Sequence, residues 1–98
     1  MTFDPDRLTR ILEGALLAAG KPRTVIQLEN LFQEDEVRPA RDEIKAALED
    51  IASELKGRGF ELLQVASGYR FQVCDDLAPW IGRLWEEKPQ KYSRALLE

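Results

Sequence analysis

The stretch GRGFELLQVASGYRFQV, Gly57–Val73, decides the fold. β-branched and aromatic residues are frequent in it, and Gly68 marks a reversal, so it predicts two short strands around a Ser-Gly turn. Two registers satisfy the pattern. A two-residue Ser67-Gly68 loop sets Phe60 and Leu62 on the face of Tyr69, Phe71 and Val73. A three-residue loop with Gly68 left-handed sets Leu63 and Val65 there instead. A slip of one residue exchanges the faces. In either register the first strand carries large apolar groups on both sides. One side can pack on helices, and the other needs a cover.

Working outward, the segments before this hairpin read as three helices. Asp4 can cap the first, Pro5 suits its first position, and Asp6 favours the positive end of the helix dipole. Leu8, Ile11, Leu12, Ala15, Leu16 and Ala19 recur at helical spacing, and Gly20 then Pro22 end the run. In TVIQLENLF, Thr24 and Gln27 have capping-box spacing. Ile26 or Val25, with Leu28, Leu31 and Phe32, supplies its buried side. Pro39 can open a third helix at its first turn, with Ile44, Leu48, Ile51, Ala52 and Leu55 as its core stripe. Past the hairpin, DDLAPWIGRLWE predicts a short fourth helix. Asp75 or Asp76 is its candidate cap, and Leu77, Trp80, Ile81, Leu84 and Trp85 form its apolar side. EEKPQKY then reads as a linker, and SRALLE as the start of a further helix.

Three helices followed by a two-stranded wing is the order of a winged helix-turn-helix, mainly α with a small antiparallel β-hairpin. The expected division is a winged-helix domain over residues 1–87. Residues 88–98 would be a linker and the truncated start of a second domain. Ninety-eight residues suit one domain with one modest core. Apolar runs such as ALLAA fall far short of the roughly 18 residues of a membrane span. Asp4 and Asp6 stand where a secretory leader would be basic. The single cysteine, Cys74, can form no internal disulfide, which fits a reducing compartment, so a cytoplasmic protein is expected.

The chemistry is narrow. Without histidine, the commonest general base near neutral pH is missing, and Cys74 has no imidazole to activate it. The carboxylates of QEDE and WEE form runs rather than converging pairs. No zinc or calcium spacing occurs, and the glycines make no phosphate loop. An enzyme is not expected, nor a cofactor or metal.

DNA binding is the serious alternative, as a winged-helix transcriptional regulator with Arg41, Lys45 and Arg70 at phosphates. The net charge of −4 counts against it. Between Arg38 and Leu55, three basic residues face five acidic ones. Arg41 and Lys45 fit pairing with Glu49 and its neighbours better than a phosphate patch. The wing tip, Ala66-Ser67-Gly68, is small and neutral, where a minor-groove wing wants cations. Protein binding fits better, because aromatic residues concentrate near the C-terminus and aromatics are enriched at interface centres. The candidate interface is Leu63, Val65, Tyr69 and Phe71 on the hairpin, with Trp80 and Trp85 on the last helix. A second copy of the chain is the simplest partner.

Three stretches also carry a resemblance: ILEGALLAAGKPRTVIQLENLF, IKAALEDIASELKGRGFELLQVASGYRFQV and APWIGRLWEEKPQKYSRALLE. In order and over nearly the whole chain, they resemble the bacterial segregation and condensation protein B (ScpB) family. GRGFELLQVASGYRFQ and the linker into SRALLE are the most specific parts. The resemblance implies two winged-helix domains, of which this chain looks like the first. It implies a non-catalytic subunit of the bacterial structural-maintenance-of-chromosomes (SMC) complex, acting in chromosome condensation and partition during cell division. It further implies N-terminal homodimerisation, binding to the kleisin subunit (segregation and condensation protein A, ScpA) and through it to the SMC protein, and a nucleoid-associated place in the cytoplasm. Much of the family's kleisin contact belongs to the second domain, so homodimerisation is the activity expected of this segment itself.

Overall fold

The structure, a computed structural model, describes residues 3–85. Helix α1 runs Pro5–Ala19 and starts as its sequence dictates: the Asp4 carboxylate accepts from the Asp6 N–H and Pro5 stands at the first position. It ends at Gly20, whose φ of 70° is the left-handed conformation that suits glycine. Helix α2, Val25–Glu29, opens on a complete capping box. The Thr24 N–H donates to Gln27 Oε1 at 2.9 Å, and the Gln27 N–H donates to Thr24 Oγ1 at 3.1 Å. A 3-10 turn, Asn30–Phe32, tightens its end. Helix α3 is Arg41–Glu54, beginning two residues after Pro39. Its first turn has half a capping box, the Ala40 N–H donating to Glu43 Oε1 at 2.7 Å.

These helices share one core. Leu8, Leu12 and Leu16 of α1 meet Leu28, Phe32, and Ile44, Ala47, Leu48 and Ile51 of α3. The α1 stripe repeats every four residues, so a single row of leucines is enclosed. On α3 the buried row takes in Ala47, while Ala52 and Leu55 are only half covered. In α2 Val25 faces the core, whereas Ile26 and Leu31 are exposed. Five helical residues and one tight turn are too short to cover every apolar side chain they carry.

Strands β1, Phe60–Val65, and β2, Gly68–Val73, form the antiparallel wing. Val65 pairs with Gly68, so the loop is Ala66-Ser67, which is neither of the two loops expected, while the faces are those of the two-residue alternative. Neither loop residue has positive φ, so this is not one of the mirror-image hairpin turns. Gly68 itself takes a φ of 127°.

A third strand-like rung lies on the other edge of β2. The Arg23 N–H donates to the Tyr69 carbonyl at 2.9 Å, and the Tyr69 N–H donates to the Arg23 carbonyl at 2.7 Å. This ties the α1–α2 connection to the wing. The approach is so close that a Cβ on Gly68 would run into the Arg23–Thr24 backbone. Gly68 is therefore required twice, for its φ and for its lack of a side chain. After β2 the chain passes through a 3-10 turn, Asp75–Leu77, into α4, Ala78–Trp85. The Cys74 N–H donates to the Gly59 carbonyl at 3.0 Å, closing the base of the wing. Asp75 and Asp76 lie within the 3-10 turn rather than at the cap of α4, and Cys74, at the cap position of that turn, makes no side-chain capping bond.

Candidate protein-interaction surface

The register sorts the wing. Phe60, Leu62 and Gln64 share a face with Tyr69, Phe71 and Val73; Glu61, Leu63 and Val65 share the other with Gly68, Arg70 and Gln72. Leu62, Tyr69 and Phe71 pack against the core. Leu63 and Val65 are half-buried on the opposite face. Tyr69 and Phe71 thus pack in part against the core, on the face opposite Leu63 and Val65. Trp80 and Trp85 are brought to neither face. They stand on α4, 60% and 78% exposed, beside Leu84 at 71%. The six expected interface residues therefore fall into three separate places.

A different grouping emerges between α1 and the wing. An apolar cleft of about 350 Å³ is lined by Gly14, Leu17, Leu55, Phe60 and Phe71, with Arg10 and Glu13 on its rim. Phe60 and Phe71 meet edge to face, centroids 5.5 Å apart, and shape one wall. Leu17 is 74% exposed. Its signal lies in ALLAA, as an apolar residue off the Leu8–Leu12–Leu16 row. Gly14 leaves the cleft mouth open, since a Cβ there would meet nothing within 4 Å.

On the reading face of the helix-turn-helix, Arg41 is paired by a carboxylate of the neighbouring helix. Arg41 forks onto Glu29, Nη2 to Oε1 at 2.9 Å and Nε to Oε2 at 3.0 Å. Glu29, on α2, is thus Arg41's partner rather than Glu49. That hydrogen bond holds the Glu29 carboxyl below its ordinary range, and Arg41 is raised in turn. Arg70 donates to Gln72 Oε1. The cations proposed for phosphate are therefore partly engaged already.

Cys74 is half-buried, its thiol donating to the Arg58 carbonyl at 3.4 Å. Burial pushes this thiol up, and Glu61, Asp76 and Asp75 push it further, opposite to what a nucleophile needs. Among the described residues, no three His, Cys, Asp or Glu side chains converge as a metal site. No helix there is long and apolar enough to cross a membrane.

A helix-turn-helix followed by a two-stranded wing defines a winged-helix domain, here with an exposed apolar last helix. The family model for segregation and condensation complex subunit ScpB matches residues 10–98, and the chain belongs to that family. A segregation and condensation protein B homolog of Coxiella burnetii is 48% identical over 89 residues, spanning 90% of this chain and 42% of that protein. The chain therefore spans less than half the length of that relative. The crystal structure of ScpB from Mycobacterium tuberculosis superposes with a TM-score of 0.75 at 26% identity, covering 90% of this chain and 56% of that one. A dimer of an ScpB N-terminal domain complexed with an ScpA peptide matches at a TM-score of 0.69 and 21% identity, over 81% of this chain and 95% of that one, a likeness of fold.

Proposed function

We propose that this chain is a homodimerising, non-catalytic interaction module of the bacterial SMC–kleisin complex, serving chromosome condensation and segregation. The observation that carries the reading is the unpartnered apolar face of α4, with Trp80, Leu84 and Trp85 largely exposed. Exposed aromatic clusters of this kind favour protein contacts. Family membership and the dimeric, peptide-bound state of the N-terminal ScpB domain of like fold support the same partners here: a second copy, and a kleisin segment of ScpA. On this reading residues 1–87 are the winged-helix unit, and 88–98, which lie outside the described residues, are the linker and start of a second domain. Such a subunit works at the nucleoid without touching DNA itself. A DNA-binding regulator is the weaker alternative, because Arg41 is held by Glu29 and the wing tip is uncharged.

Sedimentation at tens of micromolar tests the proposal, with and without a synthetic ScpA peptide. A dimer whose mass rises by the peptide supports it, and a monomer indifferent to the peptide removes it. A shift of duplex DNA at low salt that fades steeply as salt rises would favour the regulator instead.

A further inference from the structure

Among the described residues, an apolar cleft and an apolar helix face stand open and share no residue. One is the α1–wing cleft of Leu17, Leu55, Phe60 and Phe71. The other is the α4 face of Trp80, Leu84 and Trp85. We propose that α4 of one copy docks in the α1–wing cleft of a second copy, reciprocally, so that one two-fold contact covers both. This deepens the homodimer reading and rests on it.

Size and chemistry agree. A cleft of about 350 Å³ is at the lower end of those that enclose a small organic ligand, roughly 300–1,000 Å³, and so has room for an indole. A helix of eight residues is about 12 Å long, which suits a groove made by one helix and one hairpin. Polar groups at the edges match as well. Arg10 on the cleft rim can lie over an indole face, and Glu13, also on the rim, can pair with Arg83 of the incoming helix. Gly14 leaves the entry unobstructed.

The path of the chain favours the second copy over the first. The Leu77 side chain lies against Gly59 at the base of the wing, and α4 departs from there with its apolar residues open. Each copy thus offers one helix and one cleft, the condition for a closed, self-complementary pair in which residue i meets j and j meets i.

Mixed cross-linking separates the outcomes. In a Cys74→Ser background, one chain carries Leu17→Cys and another Leu84→Cys. Both positions are exposed, so neither change threatens the core. The two chains are mixed and oxidised mildly, beside a control pair of Ile26→Cys with Leu84→Cys. The expected result is a 17–84 disulfide as the dominant product, shifting the band from monomer to twice the mass, with the control pair giving little. If sedimentation shows a dimer but the 17–84 link does not exceed the control, docking through α4 is wrong and the homodimer stands. A monomer in sedimentation overturns both. A Leu17→Cys/Leu84→Cys chain that closes within a single copy shows α4 folding onto its own cleft and also overturns the docking.

Discussion

Helices α1 and α4 carry the same kind of apolar stripe and meet opposite fates. The leucines of α1 are sealed against α3, whereas the tryptophans and Leu84 of α4 face outward. Periodicity tells which side of a helix is apolar; it does not tell what will cover that side. For α1 the cover is supplied by α2 and α3 through short connections. The fourth helix follows the wing, whose Leu62, Tyr69 and Phe71 pack in part against the core of the first three helices. Its own cover must come from elsewhere.

The sharpest way to break the body itself is Gly68→Ala. It forces a side chain into a positive-φ position and against the Arg23–Thr24 backbone. The expected loss is about 4 kcal/mol or more, enough to unfold a small domain with a wing so attached. Urea denaturation measures it, and a variant within 1 kcal/mol of the parent, roughly the range of an ordinary substitution, would mean that the Arg23–Tyr69 rung does not form.

The contrast between buried and open helices can be tested with one chemical change at two positions. Leu48→Ala on α3 removes a fully buried side chain and is expected to cost about 2–5 kcal/mol. Leu84→Ala on α4 removes the same atoms, yet at concentrations low enough to leave only monomer it should cost less than about 0.5 kcal/mol. At high concentration Leu84→Ala should weaken self-association instead. Equal losses at the two sites in the monomer would place α4 in the chain's own core.

Smaller effects sharpen the helix starts. Thr24→Ala removes one half of the capping box and should cost about 1 kcal/mol in thermal unfolding. Glu29→Gln should have the smallest effect, since its ion pair with Arg41 lies at the surface. Its pH dependence has a definite sign. The folded carboxyl is held below its unfolded value, so its contribution is present above the unfolded value and is lost as pH falls through the folded one. The parent and Glu29→Gln should thus converge in stability on the acid side and differ slightly at neutral pH.

Much of the body was legible because local signals carry it. Asp4, Pro5 and Gly20 bound α1, and Thr24 with Gln27 opens α2, each through hydrogen bonds among residues a few positions apart. The order of three helices and a wing followed from periodicity. What escaped was set by distant contacts. The Arg23–Tyr69 rung uses backbone groups alone, so only Gly68 could have hinted at it. The wing has apolar residues on both faces, and no pattern of period two could choose between them. Arg41 could meet Glu29 only once α2 and α3 were packed. The surfaces were the least legible part: Tyr69 and Phe71 pack in part against the core, and the cleft that Phe71 shares with Leu17 and Phe60 is built by elements far apart in sequence.

Both tryptophans of the chain, Trp80 and Trp85, sit on α4 and are exposed, so indole emission reports on that helix alone. Emission followed across a dilution series, beside the mass in solution, therefore tests most directly whether a second copy covers α4. The expected result is a blue shift as concentration rises, in step with a doubling of mass. Emission typical of water-exposed indole in a dimer at every concentration would contradict it.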